Sequence, residues 1–177
     1  TIGNDAYSMS GSKSNTTFAA FKAQNKLGND LTLTGIASAA RTNMSKPKNS
    51  FINSAENVNS YSLSVIATQK NITGDDSLQF SVSQPNRVNN GEMSIRLSNL
   101  AESDGSITYR NTNINLKPTG RQMVYGLTYR KDLDEGIGFS VKHLLTSNLN
   151  HNQDSDLARS SYIGLRYKDL KLGYNIN

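Results

Sequence analysis

Apolar and polar residues alternate along most of this chain, and this two-residue period constrains its fold more than any other feature of the sequence. In the stretch "SLQFSVSQPNRVNNGEMSIRL", residues 77–97, Leu78, Phe80 and Val82 share one side, and Ser and Gln fill the other. After Pro85 and a polar run, the alternation resumes in "EMSIRL". Successive side chains of a strand point to opposite faces. The stretch therefore predicts two strands joined by a turn, a hairpin in which each strand has one apolar face.

The same alternation recurs along the rest of the chain, and no long segment shows the period of a helix. The most helix-like piece, "TFAAFKAQNKLG", is followed by "GND" and then by "LTLTGIASAA", an order typical of a hairpin. The polar stretch 43–60 predicts a long loop. We therefore predict an all-β chain of about ten strands, organised as a single antiparallel β domain over residues 1–177. The clearest strands are predicted at 61–67, 123–129, 137–143, 163–167 and 170–176.

The lengths of the predicted connections suggest an architecture. Short turns ("GND", "TGDD", "ESDG", "LDEG") alternate with connections that are mostly longer, although "KPTG" is short where a long one is expected. An antiparallel up-and-down β-barrel of about 8–12 strands with apolar residues outward has this arrangement, and it carries tyrosines near its strand ends. Tyrosines suited to that place are Tyr109, Tyr125, Tyr129, Tyr162, Tyr167 and Tyr174.

A soluble β-sandwich with its apolar faces inward is the alternative architecture. Each of the two architectures needs one apolar face per strand, so the alternation by itself is consistent with both.

Composition excludes several classes of protein. Hydrophobic residues make up 35% of the chain and charged residues only 19%, so the polar content comes largely from Asn, Ser and Thr. Disordered chains usually combine low hydrophobicity with high net charge, and that combination is absent here. The net charge is +5, but Lys and Arg are scattered without an aromatic-rich basic motif, so we predict no nucleic-acid partner. Cysteine is absent, which excludes disulfides and thiolate chemistry.

One loop has the composition of a calcium site. The loop is oxygen-rich through Asn150, Asn152, Asp154 and Asp156 and also contains His151, but the spacing and the terminal Glu of an EF-hand are missing. We therefore interpret the stretch as a solvated loop. His143 is in phase with an apolar strand face and is interpreted as a strand-end or interface residue rather than as a ligand.

The remaining acidic and basic candidates have simpler interpretations. The acidic residues Asp75, Asp76, Asp132, Asp134 and Glu135 are interpreted as turn residues, so we predict no catalytic, cofactor-binding or metal-binding residue. Most members of a basic set share the polar side of their strands, where they would line the lumen of a barrel or the exterior of a sandwich. These are Arg96, Arg110, Arg121, Arg130, Lys142, Arg166 and Lys168.

Several motifs between Tyr61 and Tyr167 resemble one known family. They are "SQPNRV" followed by Gly91, "INLKPTGRQMVYGLTYRKDL", "GIGFSVKHLL" and "YIGLRYK". In this order they resemble the C-terminal region of secreted subtilisin-like serine peptidases of proteobacteria with autotransporter-like architecture. This part of the chain would be non-catalytic, in agreement with the absence of "HGT" and "GTS" boxes around its histidines and serines.

The resemblance implies the C-terminal part of a larger precursor that has a peptidase-like domain upstream. This part would be an anchor or translocation unit in the outer membrane or at the cell surface of a Gram-negative bacterium, with membrane lipid as its partner. The alternative function is a soluble extracellular module for surface attachment or for self-assembly. Self-association would then use strand addition at an edge such as "DLKLGYNIN".

Overall fold

A computed structural model describes residues 14–44, 52–101, 104–133, 136–168 and 170–176, and most of these residues lie in strands. The prediction of an all-β, antiparallel chain is confirmed. In the described ranges no helix has the length and apolarity needed to cross a membrane. The strands are β1 (Ser14–Leu27), β2 (Leu31–Met44), β3 (Ile52–Ala55), β4 (Val58–Lys70), β5 (Asp76–Asn90), β6 (Glu92–Ala101), β7 (Ile107–Asn115), β8 (Met123–Asp132), β9 (Ile137–Ser147), β10 (Ala158–Tyr167) and β11 (Leu170–Ile176).

Two sheets contain these strands. The first has eight strands in the order β1-β2-β4-β5-β8-β9-β10-β11, and the second has three in the order β3-β6-β7. The predicted hairpin between residues 77 and 97 is wrong, because its two strands, β5 and β6, belong to different sheets. Pro85 lies inside β5 but beyond Ser83, the last β5 residue in register with β8, so its missing N–H removes no bond from that ladder.

The predicted loop over residues 43–60 is also wrong in part. Asn43 still belongs to β2, β3 occupies Ile52–Ala55, and β4 begins at Val58. Residues 45–51 lie outside the described residues. β3 is only four residues long and pairs with β6, about forty residues away in the chain (Ile52 with Ile95). Such a short strand depends on a long-range partner, which explains why the local pattern did not reveal it.

Short turns and long connections alternate in the eight-stranded sheet, as predicted, but two predicted connections lie elsewhere: "PNRVNN" is part of β5, and "ESDG" lies between β6 and β7 of the second sheet. Four neighbouring pairs, β1–β2, β4–β5, β8–β9 and β10–β11, are joined by short turns, all at the same end of the sheet because consecutive strands are antiparallel. The other three connections are long and leave from the opposite strand ends. The short "KPTG" fits this scheme, because it closes a long excursion from β5 to β8 that contains β6 and β7.

Main-chain hydrogen bonds join the short turns to one another in sheet order. Lys70 N–H donates to the Asp30 carbonyl (2.9 Å), Asp132 N–H to the Asp75 carbonyl (2.9 Å), and Lys168 N–H to the Gly136 carbonyl (2.9 Å). Each bond connects one turn to the next across the sheet, so this end forms a continuous hydrogen-bonded rim.

Contacts divide the chain into two compact units. The larger comprises the described residues of 20–38, 61–87 and 119–177. The smaller comprises those of 14–19, 39–60 and 88–118 and contains the three-stranded sheet. In the smaller unit, the Arg96 guanidinium stacks over the ring of Tyr109 at 4.2 Å. At the β6–β7 turn, hydrogen bonds from the hydroxyl and the N–H of Ser106 hold the pKa of the Asp104 carboxyl below its ordinary value.

Candidate functional site

The strands β5, β8, β9, β10 and β11 form a continuous surface with two chemically different faces. Their register brings side chains of one kind into rows across the sheet, such as Leu78–Tyr129–Val141–Ile163–Tyr174. We call this side the apolar face; its members include Leu78, Phe80, Tyr125, Leu127, Tyr129, Val141, Ile163, Leu165, Leu172 and Tyr174. We call the opposite side the polar face; its members include Ser77, Gln79, Ser81, Gly126, Thr128, Arg130, Gly138, Ser140, Lys142, Tyr162, Gly164, Arg166, Lys171, Gly173 and Asn175.

Burial on these faces is the reverse of that in a water-soluble sheet. Leu127 is 49% exposed, whereas its neighbour Thr128 on the polar face is 8% exposed. Among the described residues none of the hydrophobic side chains is buried, and the buried side chains are polar or charged. A soluble sheet normally buries its apolar face against a second layer, and the exposed apolar face of this sheet departs from that pattern.

One tyrosine occupies the polar face and depends on the glycines beside it. The ring of Tyr162 lies over Gly164 of its own strand and over Gly173 of β11. A Cβ atom at Gly164 would lie 2.8 Å from the Tyr162 hydroxyl oxygen, and one at Gly173 would overlap the ring. Tyr162 was expected among the strand-end tyrosines, but it fills the polar face because glycine leaves room for it.

Asp76 organises the turn between β4 and β5. Its carboxylate accepts hydrogen bonds from the Ile72 N–H (2.7 Å), the Thr73 hydroxyl (2.7 Å) and N–H, and the Tyr129 hydroxyl (2.9 Å). The residue is 6% exposed. Its interpretation as a turn residue agrees with this geometry, and the bond from Tyr129 also ties the turn to β8.

The loop that follows β9 is anchored by a histidine whose two ring nitrogens are both occupied. The Gln122 N–H donates to Nδ1 of His151 (2.9 Å), and Nε2 of His151 lies 3.0 Å from the Asn86 carbonyl oxygen. Since Nδ1 accepts a bond, Nε2 carries the proton and donates to Asn86. The Gly120 N–H also donates to the His151 carbonyl (2.6 Å). His151 thus connects the loop to β5 and to the segment before β8.

Asn152 and Asp154 of the calcium-like loop have local partners. Asn152 accepts hydrogen bonds from Asp154 N–H (3.1 Å) and from the Ser155 hydroxyl (2.9 Å), as in a polar turn. Across the described ranges, no group of three or more His, Cys, Asp or Glu side chains is arranged to hold a metal ion. His143 lies in β9 and shares a hydrogen bond with the Ser161 hydroxyl opposite it in β10 (2.8 Å).

The acidic residues assigned to turns divide into three cases. Asp75 and Asp76 do lie at the β4–β5 turn, whereas Asp132 is the last residue of β8 and forms an ion pair with Arg166 (2.6 Å). Asp134 and Glu135 lie outside the described residues.

The basic set does not gather at one place. Arg166, Arg130 and Lys142 lie on the polar face of the larger unit, and Arg121 donates to the Tyr61 hydroxyl (3.2 Å). Lys168 lies at the β10–β11 turn, with its ammonium 5.4 Å from the centre of the Tyr167 ring. Arg96 and Arg110 belong to the three-stranded sheet of the smaller unit.

Sequence reasoning missed two buried polar residues of β5. Arg87 is 7% exposed and donates from Nε to the Gly120 carbonyl (2.9 Å). Gln84 is 4% exposed, and among the described side chains its amide nitrogen is the buried polar atom without a hydrogen-bond partner. Both residues lie within two positions of Pro85, in a polar segment that the sequence predicts as a turn. No apolar pattern in that segment indicates that its side chains are buried.

Comparison of this chain with protein-family models, with curated proteins and with solved structures finds no match.

Proposed function

We propose that this chain is the outer-membrane β-barrel region of a cell-surface protein, a non-catalytic anchor or translocation unit that meets lipid with its apolar face. The observation that carries the proposal is the reversed burial: large apolar side chains are exposed, and the buried side chains are polar. Lipid-facing barrels alternate apolar-out with polar-in. In water the same surface would leave rows of Leu, Ile, Phe and Tyr side chains hydrated, at a cost of roughly 25 cal/mol per Å² of apolar area.

Strand number and length also support the proposal. The larger sheet has eight strands, an even number within the range of bacterial outer-membrane barrels. β8, β9 and β10 have 10, 11 and 10 residues, and a tilted strand needs about 9–11 residues to cross the hydrocarbon core. Short turns at one end and long connections at the other are typical of the same class of protein.

Exposed tyrosines support a membrane interface as well. Tyr125, Tyr167 and Tyr174 are 40%, 51% and 69% exposed on the larger sheet. Tyrosine side chains have an apolar ring and a polar hydroxyl, and they collect where hydrocarbon meets water.

The proposed partner in the precursor is a peptidase-like domain upstream of this chain. This part of the proposal rests on the resemblance of "SQPNRV", "PTGRQ" and the strands that follow them to the C-terminal region of secreted subtilisin-like peptidases. An anchor or translocation unit of a Gram-negative outer membrane needs no reactive centre of its own, because catalysis would belong to the upstream domain.

The substitution Leu127→Arg tests lipid contact. At a lipid-facing position near mid-bilayer it should destabilise the folded chain in phosphatidylcholine vesicles by ~2–4 kcal/mol, measured by guanidinium unfolding. The matched control is Leu157→Arg, which changes an exposed leucine in the long connection before β10 and should be nearly silent. If the apolar face met water, both substitutions would be equally silent, because Leu127 is not packed in a core.

Behaviour in detergent gives an independent test. The full chain should need detergent to remain dispersed, and the unheated sample should migrate as a compact species in SDS gels that disappears on boiling. A chain that purifies from buffer as a monomer, with identical mobility before and after heating, would contradict the proposal.

A soluble module that assembles by strand addition is the second candidate, and the two edge strands favour it. Every residue of β11 is exposed, and so is every residue of β1. Unpaired edges offer rows of N–H and C=O groups to another strand. A barrel uses the same two edges to close on itself, so the candidates differ in whether those edges pair within one chain or between chains.

A further inference from the structure

We infer that the polar face of β8–β11 holds a binding site for a phosphate group, carried by a small ester. The site is a concavity of about 350 Å³ between Arg130 on one side and Arg166 and Lys171 on the other. This volume is at the lower end of the range for small-molecule sites. The inference concerns the polar face alone, and it does not depend on what covers the apolar face.

Small residues create the space. In register across four strands lie Arg130, Ser140, Gly164 and Gly173, so that the long Arg130 side chain is followed by three positions with little or no side chain. The adjacent row is Asp132, Gly138, Arg166 and Lys171. The ring of Tyr162 covers the floor over Gly164 and Gly173, and the cationic side chains line the space that remains beside it.

Hydroxyl groups converge on the same floor. A Cβ atom at Gly164 would lie 2.8 Å from the Tyr162 hydroxyl oxygen and 2.9 Å from the Ser140 hydroxyl oxygen. Both hydroxyls thus lie over Gly164, inside the concavity, where they can donate hydrogen bonds to a ligand oxygen.

Among the described residues that line the concavity, Asp132 is the one carboxylate, and it is already engaged. Asp132 pairs with Arg166 at 2.6 Å, and both groups lie directly over Gly138, since a Cβ there would be 2.9 Å from the Asp132 oxygen and 3.3 Å from Nη2 of Arg166. Arg166 keeps further N–H donors. Within the described residues, Arg130 and Lys171 form no ion pair. Among the described lining residues, positive charges therefore outnumber negative ones, and hydroxyl donors lie beside them.

This donor set favours a phosphate group over a carboxylate. A carboxylate is planar and one arginine fork can satisfy both its oxygens. Here guanidinium, ammonium and hydroxyl donors come from different strands, and a tetrahedral dianion can accept from all of them. The remaining volume leaves room for a small organic group on the phosphate.

Titration of the refolded full chain with glycerol 3-phosphate, followed by calorimetry, tests the site. We expect saturable binding that weakens with salt, and a loss of about tenfold in affinity for each of Arg130→Gln and Lys171→Gln, the usual size of one charge-assisted hydrogen bond. Tyr162→Phe, which keeps the ring over its glycines, should lose severalfold. The matched control is Arg159→Gln, an exposed cation of β10 outside the concavity, which should bind like the parent.

Two outcomes would overturn the inference: no saturable binding of glycerol 3-phosphate, or an equal loss of affinity in Arg159→Gln, which would indicate unspecific attraction. Competition with phosphatidylglycerol in nanodiscs, against phosphatidylcholine, distinguishes the two sources of the phosphate: displacement of bound glycerol 3-phosphate by phosphatidylglycerol alone supports a lipid headgroup, and saturable binding without displacement supports a soluble ester. Heat-dependent gel mobility is measured on the same samples and tests the membrane proposal, which concerns the apolar face. A failure of the phosphate site can therefore be distinguished from a failure of the membrane proposal.

Discussion

At the residue scale, the conspicuous feature is a polar side of the sheet that is built around glycine. Tyr162 can lie flat on that side because Gly164 and Gly173 have no side chain, and the ring in turn covers their backbone. Glycine weakens a strand interior, so its presence at paired positions of β10 and β11 has a packing reason.

The substitution Gly173→Ala should therefore destabilise the fold by about 1–3 kcal/mol, because the added methyl group overlaps the Tyr162 ring. The matched control is Gly35→Ala in β2, where a Cβ meets no heavy atom within 4 Å. Guanidinium unfolding of both variants is the measurement.

A double-mutant cycle with Tyr162→Ala supports the cause. If the overlap with the ring is responsible, Gly173→Ala should cost much less in the Tyr162→Ala background, with a coupling of about 0.5–3 kcal/mol. Strictly additive effects would mean that Gly173 is needed for another reason.

At the element scale, the segment between β9 and β10 behaves as part of the sheet's framework. Its 3₁₀ turn, Leu149–His151, includes Asn150 and His151 with φ of 55° and 57°, in the left-handed region that non-glycine residues rarely adopt. Such a backbone persists when surrounding bonds hold it, and His151 supplies those bonds on both ring nitrogens.

His151→Ala should release this segment. Two hydrogen bonds of roughly 1 kcal/mol each are lost, so the Gln122 amide should exchange with solvent at least about tenfold faster, as measured by hydrogen–deuterium exchange. Asp154→Ala in the same segment is the control and should leave the Gln122 amide protected. Equal protection in His151→Ala would show that the segment is held by other contacts.

At the scale of the whole molecule, the pairing of the two edges of the eight-stranded sheet distinguishes a closed barrel from strand addition between copies. With an even number of antiparallel strands, β1 and β11 run in opposite directions and can pair as neighbours. Pairing of β1 with β11 would close the sheet into a barrel, remove both edges and separate a polar interior from a lipid-facing exterior.

Cysteine pairs test closure cleanly because the chain has no cysteine of its own. Leu172→Cys is combined in turn with Phe21→Cys, Ala23→Cys and Asn25→Cys, which sample successive registers of β1. Under mild oxidation we expect one combination to form a disulfide within the monomer, since paired strands bring Cα atoms to about 5.5 Å. Disulfide-linked dimers without an intramolecular product would favour strand addition between copies.

The sequence predicts some structural elements of this chain correctly and others not. The alternation of apolar and polar residues predicted the strands β5 and β8–β11 correctly. It also assigned Leu127 and Thr128 to opposite faces, because successive side chains of a strand point to opposite sides. It misjudged Pro85 and missed β3, because a strand's extent and partner depend on segments far away in sequence.

The residues of the candidate sites were likewise predictable only in part. Arg130, Arg166 and the glycines could be assigned to one side of their strands from the sequence, but Lys171 became their neighbour only through the register of β11 with β10. The sequence predicts that His151 belongs to a solvated loop, whereas its two bonds, to Gln122 and Asn86, come from segments separated from it by 29 and 65 residues.

The sequence by itself determined that each strand would have an apolar face and a polar face, since this division follows from residue order and backbone geometry. Only the tertiary structure decided which side would be covered: Leu127 on the apolar face stays exposed, whereas Thr128 on the polar face is enclosed. The physical reason is that alternation is a property of a single strand. Burial instead depends on the curvature of the whole sheet and on the surfaces that cover it, and neither is encoded in one strand.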